Sequence, residues 1–365
     1  MQRTPPGCTP TSPKTSWIDD EVIQLRIWGS EDAHRFPTDV QRFSIGTASS
    51  CEIQVQGASK YVSRKHAYLE RSAERWCIVD QSKNGLYLDG ELRKRAFITP
   101  GMRVNLGPRV MLVAESARTI VLRTALARMM GWSADLADSL DRAFQNLRLA
   151  PSGKAIFMLC GEGELLTFAH ELHRLTLSEQ RPFVVCGEVG KRKQQASSEE
   201  KAEDMPGSLQ RVSSGLDAVA LGRGGTICLD NRRLPKDLTT MFKILGDGGS
   251  PTQVFVLAKY VRKTEVYTPA PFEIPPLYKR ASEVDRLITE YEIEAKRQLS
   301  TEHLELTAVQ RTRIRARCKT LSDLQKATQR LLALRQAGTL RGAAALLGMS
   351  QVALGEWLHG RGLLP

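Results

Sequence analysis

The sequence lacks the features that would place the chain in a membrane or in an oxidising compartment. None of its 365 residues belongs to an apolar run near the roughly 18 residues that a membrane-spanning helix requires. The first residues contain no apolar segment typical of a secretion signal. The seven cysteines are odd in number and none stands in C-x-x-C spacing, so the sequence predicts neither a disulfide framework nor a zinc site. We therefore expect a cytoplasmic protein with reduced thiols, no membrane partner, no metal and no cofactor.

Positive charge is concentrated near the end of the sequence. The formal net charge is +12, and residues 311–365 hold ten basic and two acidic side chains, which give this segment alone a net charge of +8. Such a segment favours a polyanionic partner, because lysine and arginine release the counterions that are condensed on phosphates. A solvated basic helical surface explains the same charge, and composition leaves the two interpretations open.

Composition and length predict a multidomain globular protein. Hydrophobic residues make up 41% and charged residues 25%, and the length corresponds to two or three domains of roughly 150 residues each. Strand-length runs separated by turn residues dominate the first third, helical periodicity begins after Arg118, and strand-like and helix-like segments then alternate. The predicted organisation is a disordered tail at 1–16, an all-β sandwich at 17–118, a helical linker at 119–150, an α/β domain with a parallel sheet at 151–310 that contains a disordered segment at 191–215, and a basic all-α region at 311–365.

Four short motifs occur in order within the predicted β-sandwich. They are Ile45–Gly46, Ser63–Ala67 (SRKHA), Ser82–Gly90 (SKNGLYLDG) and Pro100–Gly107. Together they resemble a forkhead-associated (FHA) domain. The resemblance implies an eleven-stranded β-sandwich whose loops at one end bind a phosphothreonine peptide.

The residues of these motifs suit phosphate recognition. A phosphate carries about −1.5 to −2 charge at pH 7 and three acceptor oxygens, so its site needs a hydroxyl donor and a cation. Ser63 and Arg64 supply that pair, Lys83 adds a point charge, and Asn84 can both donate hydrogen bonds to a peptide main chain and accept them. The predicted phosphopeptide site comprises Thr47, Ser63, Arg64, Lys83 and Asn84.

Three further residues are predicted to support this site. Gly85 leaves the backbone room to turn. The resemblance implies that Gly46 ends the first motif and that His66 braces the binding loop without touching phosphate. It also implies an arginine at the position of Thr47, so one phosphate cation is missing and Lys83 can replace it only as a point charge. Two interpretations follow, a sandwich that binds phosphothreonine and a sandwich that only mediates assembly.

Three segments of the middle region share a second resemblance. They are IFMLCGEGELLTFAHELHRL with RPFVVC, then GGTICLDNRRLPKDLTTMFKIL, then FEIPPLYKRASEVDRL. In this order they resemble the bacterial enhancer-binding proteins, the AAA+ activators of the alternative sigma factor. The resemblance implies an AAA+-like α/β fold over residues 151–310.

The residues that such a fold needs for nucleotide hydrolysis are missing. A nucleotide loop requires a lysine for the β- and γ-phosphate oxygens and a hydroxyl for Mg²⁺, whereas Gly161–Gly163 leads directly into Glu164. Asp230 could hold a metal, but the glutamate that would polarise the attacking water is replaced by Asn231. The family's sigma-contacting loop is absent as well. The sequence therefore predicts a degenerate AAA+-like scaffold that is not an enzyme.

The last predicted helices contain small and capping residues at helix-turn-helix spacing. Ala343 and Ala344 permit close helix approach, Gly348 can adopt a left-handed turn, and Ser350 can cap the next helix. This pattern resembles the factor-for-inversion-stimulation (Fis) type domain that ends most enhancer-binding proteins, which implies that Ser350–His359 enters the major groove of DNA. The predicted DNA-binding residues are Arg335, Arg341, Ser350, Gln351, Val352 and Ala353.

These patterns together predict a phosphothreonine-dependent bacterial transcriptional regulator with an ATPase-dead central scaffold. Its expected partners are a phosphothreonine protein, either a Ser/Thr kinase or its substrate, together with DNA and a possible second copy of the chain. One alternative is a phosphopeptide-binding adaptor in a signalling or secretion assembly that binds no DNA. A second alternative is an active sigma-factor-dependent ATPase.

Overall fold

The computed structural model describes residues 20–56, 60–72, 75–150, 156–161, 165–187, 209–247, 252–260 and 271–364. The predicted tail at 1–16 and the part of the predicted disordered segment at 191–208 lie outside these residues. The chain divides into two compact units, the first of Met1–Ala125, Ala137–Arg148 and Glu171–Arg181, and the second of Leu126–Leu136, Leu149–His170 and Pro182–Pro365. None of the helices in the described ranges is long and apolar enough to cross a membrane.

The first unit contains the predicted β-sandwich, and its described residues form the eleven strands that the resemblance implies. Short runs with alternating burial build it, because one face of each strand points into the core and the other into solvent. The strands are β1 (Gln24–Ile27), β2 (Ala33–Arg35), β3 (Arg42–Gly46), β4 (Ile53–Gln54), β5 (Ala67–Ser72), β6 (Arg75–Asp80), β7 (Leu86–Leu88), β8 (Glu91–Leu92), β9 (Arg95–Phe97), β10 (Arg103–Leu106) and β11 (Val110–Glu115).

Two sheets face each other across one hydrophobic core. The six-stranded sheet has the order β2-β1-β11-β10-β7-β8, and the five-stranded sheet has the order β4-β3-β5-β6-β9. Leu25, Ile45, Leu69, Leu86 and Leu106 are completely buried between them. This core fixes the ends of β3, β6 and β7, from which the loops of the candidate site extend.

Two helices, α1 (Ala117–Met130) and α2 (Ala137–Leu149), occupy the segment predicted as a helical linker at 119–150. The first unit includes most of α2, which buries Leu140, Asp141, Phe144 and Leu147. Arg26 on β1 forms ion pairs with Asp141 of α2 and with Glu115 of β11, the latter at 2.6 Å. All three side chains are at most 2% exposed, so α2 is joined to the sandwich through a buried charge network.

The second unit contains the predicted parallel sheet. Its order is β14-β13-β15-β16-β12-β17, and every neighbouring pair is parallel. Helices lie between its strands in sequence, as the alternating pattern predicts. The elements are β12 (Ile156–Gly161), α3 (Leu165–Thr176), β13 (Phe183–Cys186), β14 (Leu209–Val212), α4 (Gly215–Gly222), β15 (Thr226–Asp230), α5 (Leu238–Gly246), β16 (Gln253–Ala258) and β17 (Phe272–Ile274). The second half of α3, from Glu171, belongs to the first unit.

The prediction of disorder at 191–215 is wrong for residues 209–215. Residues Leu209–Val212 form β14, which pairs with β13, and Ser214 caps the N-terminus of α4. As an edge strand, β14 satisfies its backbone on one side only and leaves Gln210 and Arg211 exposed. Its polar composition therefore resembles that of a loop.

Five α-helices follow the parallel sheet among the described residues, and four of them overlap the all-α region predicted at 311–365, whereas the first lies within the predicted α/β domain at 151–310. Ile314, Leu324, Leu331 and Leu354 are completely or almost completely buried in this part of the second unit. Caps fix the helix boundaries, because Thr307, Thr320, Thr339 and Ser350 each accept a hydrogen bond from the first turn that follows. The helices are α6 (Val284–Gln298), α7 (Ala308–Arg317), α8 (Leu321–Ala337), α9 (Leu340–Leu346) and α10 (Gln351–Gly360).

Candidate functional site

Three loops of the β-sandwich converge on Ser63, which lies between β4 and β5. The backbone N–H of Thr47, after β3, donates to the carbonyl oxygen of Ser63 at 3.2 Å. The backbone N–H of Lys83, between β6 and β7, donates to the hydroxyl of Ser63 at 3.3 Å. The structure therefore brings the predicted residues Thr47, Ser63, Arg64, Lys83 and Asn84 to one end of the sandwich.

Gly46 is required by the close approach of the first two loops. A Cβ atom built on Gly46 would lie 2.2 Å from the carbonyl oxygen of Arg64 and 2.9 Å from that of Ser63. The same Arg64 carbonyl accepts hydrogen bonds from the N–H of Ala48 at 3.0 Å and from the thiol of Cys51 at 3.2 Å. The backbone of Arg64 is thus fixed while its side chain remains exposed.

His66 braces the loops from inside the sandwich. Its ring is completely buried. The backbone N–H of Ser63 donates to Nδ1 at 3.1 Å, which leaves Nε2 to donate to the carbonyl oxygen of Gly85 at 3.2 Å. One neutral tautomer therefore links the loop of Ser63 to the loop of Lys83 and Asn84, which agrees with a bracing role.

Asn84 and Gly85 complete the third loop. The side-chain amide of Asn84 donates to the carbonyl oxygen of Tyr61 at 2.9 Å, and its amide oxygen has no partner among the described residues. Gly85 has φ of +85°, a left-handed conformation that other residues adopt at a cost, and its N–H donates to the hydroxyl of Ser82 at 2.8 Å. The exposed Asn84 side chain is thus oriented and retains hydrogen-bonding capacity.

The charge of the site is positive and accessible. Arg64 and Lys83 are exposed, and neither forms an ion pair with any other described residue. Thr47 and Ser63, both partly exposed, place two hydroxyl groups beside these cations. This combination can neutralise and hydrogen-bond a doubly charged oxyanion.

Comparison with protein families identifies the part of the chain that contains these three loops. The FHA domain family matches the chain over residues 43–107. Residues 43–107 are an FHA domain. This segment contains every predicted phosphopeptide-binding and supporting residue. No curated protein sequence matches the chain.

Several solved structures resemble the FHA part of the chain. One is the N-terminal FHA domain of S. cerevisiae Rad53p with a phosphothreonine peptide, at 15% identity and a TM-score of 0.25, covering 27% of this chain and 96% of that chain. Another is the FHA domain of CT664 from Chlamydia trachomatis, at 20% identity and a TM-score of 0.23, covering 26% and 95%. A third is Mycobacterium tuberculosis EmbR with a low-affinity phosphopeptide, at 21% identity and a TM-score of 0.24, covering 26% of this chain and 24% of EmbR.

Sequence reasoning missed the contribution of Tyr61 and a cavity beside Asn84. The Tyr61 carbonyl orients Asn84, but every residue has a backbone carbonyl, so no sequence signal identifies it. The cavity has a volume of about 710 Å³ and is lined in part by Tyr61, Asn84 and Tyr87. Its walls come from segments far apart in sequence, which only the folded sandwich brings together.

Burial of His66 predicts a pH dependence of the FHA domain. Desolvation lowers the pKa of His66 below its usual 6.5, although the hydrogen bond to Gly85 opposes the shift. As the pH falls, His66 is therefore protonated in the unfolded chain before it is protonated in the folded chain. The contribution of neutral His66 to the free energy of unfolding is fully present above about pH 6.5 and is lost as the pH drops through the folded pKa. We expect thermal unfolding of the domain to move to lower temperature between pH 7.5 and 5.5. His66→Gln should reduce this pH dependence, whereas His359→Gln, at an exposed position on α10, should leave it unchanged.

The predicted DNA-binding residues lie on and around α9 and α10. Gln351 and Val352 are exposed at the start of α10, and the side chain of Val352 is 68% exposed. Ala353 is partly exposed, and the Ser350 hydroxyl accepts a hydrogen bond from its N–H at 3.1 Å. The predicted left-handed turn at Gly348 is present, with φ of +66°. The basic residues Arg335 and Arg341 are exposed at the end of α8 and the start of α9.

The carboxyl end of β15 carries a neutralised carboxylate. Asp230 forms an ion pair with Arg232 at 3.2 Å and also accepts a hydrogen bond from the Arg232 N–H at 2.9 Å. Burial raises the pKa of Asp230, but these bonds to Arg232 outweigh it and lower the pKa overall. Among the described residues there is no cluster of three or more His, Cys, Asp or Glu that could hold a metal ion.

Proposed function

We propose that the FHA domain binds phosphothreonine peptides and that the chain is a phosphorylation-dependent transcriptional regulator. The convergence of Ser63, Arg64, Lys83 and Asn84 at one end of the sandwich carries this proposal. Ser63 and Thr47 donate hydroxyl hydrogen bonds to the phosphate, and Arg64 and Lys83 balance its charge. The free amide oxygen of Asn84 accepts a hydrogen bond from the peptide main chain.

The experiment that tests this proposal is a phosphatase-controlled capture. The full-length chain and its Arg64→Ala variant are immobilised and incubated with a lysate that has or has not been treated with a Ser/Thr phosphatase. The proposal predicts partners that bind the wild type and are lost both on phosphatase treatment and with Arg64→Ala. Equal recovery in all arms would reject phosphate recognition at this site.

Thr47 limits the affinity of the proposed site. Thr47→Arg adds a guanidinium beside Ser63 and Arg64, where the FHA resemblance implies a phosphate cation. Because a charge-assisted hydrogen bond contributes about 1.5–3 kcal/mol, we expect phosphothreonine peptides to bind about tenfold more tightly. Fluorescence anisotropy measures this change, and Thr38→Arg supplies the same charge outside the three loops. Similar gains in both variants would indicate a general charge effect.

The parallel sheet of the second unit serves, in this proposal, as a scaffold that does not hydrolyse nucleotide. The Asp230–Arg232 ion pair supports this, since the carboxylate that would hold a metal is already neutralised by a neighbouring cation. The missing lysine and hydroxyl in the sequence after β12 support it as well, because phosphoryl transfer depends on positioned charges. A degenerate AAA+-like origin is consistent with the parallel sheet and its interleaved helices.

The C-terminal helices are proposed to bind DNA through a Fis-type helix-turn-helix. Exposed Gln351 and Val352 can face base edges in the major groove, with Gln351 able to pair with adenine and Val352 to contact a thymine methyl group. Trp357 stacks with Arg330 and Arg361, each guanidinium 4.2 Å from the ring centroid, and thereby attaches α10 to α8. This packing holds the proposed recognition helix in one orientation.

Ion pairs reduce the number of cations free to contact DNA phosphates. Arg311 pairs with Glu292 and Arg315 pairs with Asp285, so these two are engaged within the second unit. Arg313, Arg317, Lys319, Arg335 and Arg341 form no ion pair with any residue in the described ranges. Electrophoretic shifts at increasing salt test the proposal, because each phosphate contact adds roughly 0.9 to the slope of log K against log salt.

An adaptor that binds phosphopeptides but no DNA is the alternative. Leu346 and Val352, 47% and 68% exposed on α9 and α10, favour it because exposed apolar side chains suit a protein partner. The double variant Arg335→Gln/Arg341→Gln separates the two functions. A regulator loses its DNA shift and keeps phosphopeptide binding, whereas an adaptor shows no shift in the wild type at low salt.

A further inference from the structure

Arginines alternate along α7, and the helix separates them into two rows. Residues four apart are neighbours on a helix, so Arg311 lies beside Arg315. By the same spacing Arg313 lies beside Arg317, on the other flank of Ile314. Ile314 is completely buried and faces the core. A basic run that looks uniform in the sequence is therefore divided between two sides of one helix.

The first row is neutralised within the second unit. Arg311 pairs with Glu292, and Arg315 pairs with Asp285. Both carboxylates lie on α6. These ion pairs join α7 to α6 and fix the side of α7 that faces away from the first row.

The second row lies beside the end of α10. Arg317 is exposed, and a Cβ atom built on Gly362 would lie 3.6 Å from its Nε, 3.7 Å from its Cζ and 3.8 Å from its Nη2. Gly362, just after α10, is exposed, and so is Lys319, just after α7. Arg313, Arg317 and Lys319 form no ion pair with any residue that the structure describes. A positively charged surface therefore joins the end of α7 to the end of α10.

The nearby acidic residues leave this charge unbalanced. Residues 311–365 contain two of them, Asp323 and Glu356. Asp323 is already paired with Arg361 at 3.1 Å. Glu356 is exposed on α10 and forms no ion pair within the described part of the chain. The guanidinium of Arg317 is thus available to an anionic partner.

The position of Arg317 matches the place where a phosphate backbone would pass. The ten residues of α10 span about 15 Å, whereas the major groove of DNA is about 12 Å wide. When the first residues of such a helix meet base edges, its other end reaches the edge of the groove and the sugar-phosphate backbone. Gln351 stands at the first end of α10, and Arg317 lies beside the other end.

We propose that Arg317, together with Arg313 and Lys319, binds the phosphate backbone of DNA beside the end of α10, an inference that rests on the proposed DNA binding. The N–H groups of these cations donate charge-assisted hydrogen bonds to phosphate oxygens. In this arrangement α7 is a second DNA-contacting element outside the helix-turn-helix, and its ion pairs with α6 hold it in place. Its contacts strengthen binding to any sequence, because phosphates carry no sequence information.

The test uses the full-length chain and a fluorescein-labelled DNA duplex of random sequence, since a phosphate contact does not require the target sequence. Fluorescence anisotropy gives the affinity at a series of salt concentrations. Arg317→Gln should lower the slope of log K against log salt by about 0.9 and weaken binding about eightfold near 0.1 M salt. Arg317→Lys keeps a cation at this position and should retain most of the slope.

A pair of variants at Gly362 assigns the effect to the position of Arg317. Gly362→Asp places a carboxylate beside the Arg317 guanidinium, and Gly362→Asn has nearly the same shape without the charge. Gly362 has φ of +60°, a conformation that Asp and Asn adopt more readily than most residues. Gly362→Asp should lower the slope at least as much as Arg317→Gln, whereas Gly362→Asn should retain it.

The charge control is Arg233→Gln, the same type of change at an exposed position after β15, which should leave the slope unchanged. Circular dichroism of each variant confirms that the helices are folded. An equal decrease in slope with Arg233→Gln would overturn the assignment, because the slope would then report the net charge of the chain.

The remaining outcomes separate this inference from the proposed function. If the wild type binds the duplex and Arg317→Gln keeps the wild-type slope, the assignment of α7 is wrong and DNA binding through the helix-turn-helix stands. Equal slopes for Gly362→Asp and Gly362→Asn would reject the assignment in the same way. If the wild type does not bind the duplex even at low salt, the proposed DNA binding itself fails, and this inference fails with it.

Discussion

Replacing Asp141 with alanine is expected to destabilise the FHA-containing unit by about 3–5 kcal/mol, because it removes one partner of a buried ion pair. Arg26 would keep Glu115 but lose the carboxylate that accepts from two of its guanidinium nitrogens. The N–H of Gly29, which donates to Asp141 at 2.7 Å, would lose its acceptor as well. Nη2 of the buried Arg26 would then lack its hydrogen-bond acceptor, whereas the N–H of exposed Gly29 can bind water.

Native-state hydrogen exchange at the amides of β1 and β11 measures this effect on the unit itself. Arg142→Ala is the matched control, since Arg142 lies on the same helix with a 72% exposed side chain and should change stability by no more than about 0.5 kcal/mol. If Asp141→Ala lowers the free energy of unfolding by less than about 1 kcal/mol, the packing of α2 on the sandwich does not depend on the buried charge network. The FHA unit would then need only the strands for its stability.

Gly46→Ala is expected to have the second large effect, on both binding and stability. The new methyl group would lie 2.2 Å from a backbone oxygen of Arg64, so the chain between β4 and β5 must move. Strain of this kind costs about 1–3 kcal/mol, and the displaced Ser63 and Arg64 no longer meet Thr47 and Lys83. We expect phosphothreonine affinity to fall at least tenfold and the melting temperature to decrease.

Gly29→Ala is the control for this substitution. Gly29 has φ of +71° and an added Cβ meets no atom within 4 Å, so alanine there carries only the cost of a left-handed conformation. It should lower the melting temperature slightly and leave peptide affinity unchanged. Equal affinity of the wild type and Gly46→Ala would contradict the loop arrangement.

The sandwich and the site were predictable because local sequence determines both. Runs such as Arg42–Gly46 and Arg75–Asp80 show strand character, and the structure confirms them as β3 and β6. The SRKHA and SKNGLYLDG motifs place Ser63, Arg64 and Asn84 on loops, and the FHA family match covers them.

Features that depend on distant segments were not predictable. The ion pair between Arg26 and Asp141 joins residues that are 115 positions apart, and nothing in the sequence distinguishes either residue from a charged residue on the surface. For the same reason, the basic sequence of α7 does not show that two of its arginines form ion pairs with Glu292 and Asp285. These two carboxylates lie on α6, which packs against α7. The edge strand β14 and the cavity beside Asn84 likewise arise from tertiary pairing.

The central claim is that the chain recognises phosphate on another polypeptide through Ser63, Arg64, Lys83 and Asn84. Calorimetric titration of the full-length chain with a degenerate phosphothreonine peptide library and its unphosphorylated counterpart tests it most directly. The account predicts at least tenfold tighter binding of the phosphorylated library, as expected for about 1.5–3 kcal/mol from a charge-assisted contact, and loss of that difference in Arg64→Ala. Equal affinity for both libraries in the wild type would contradict it.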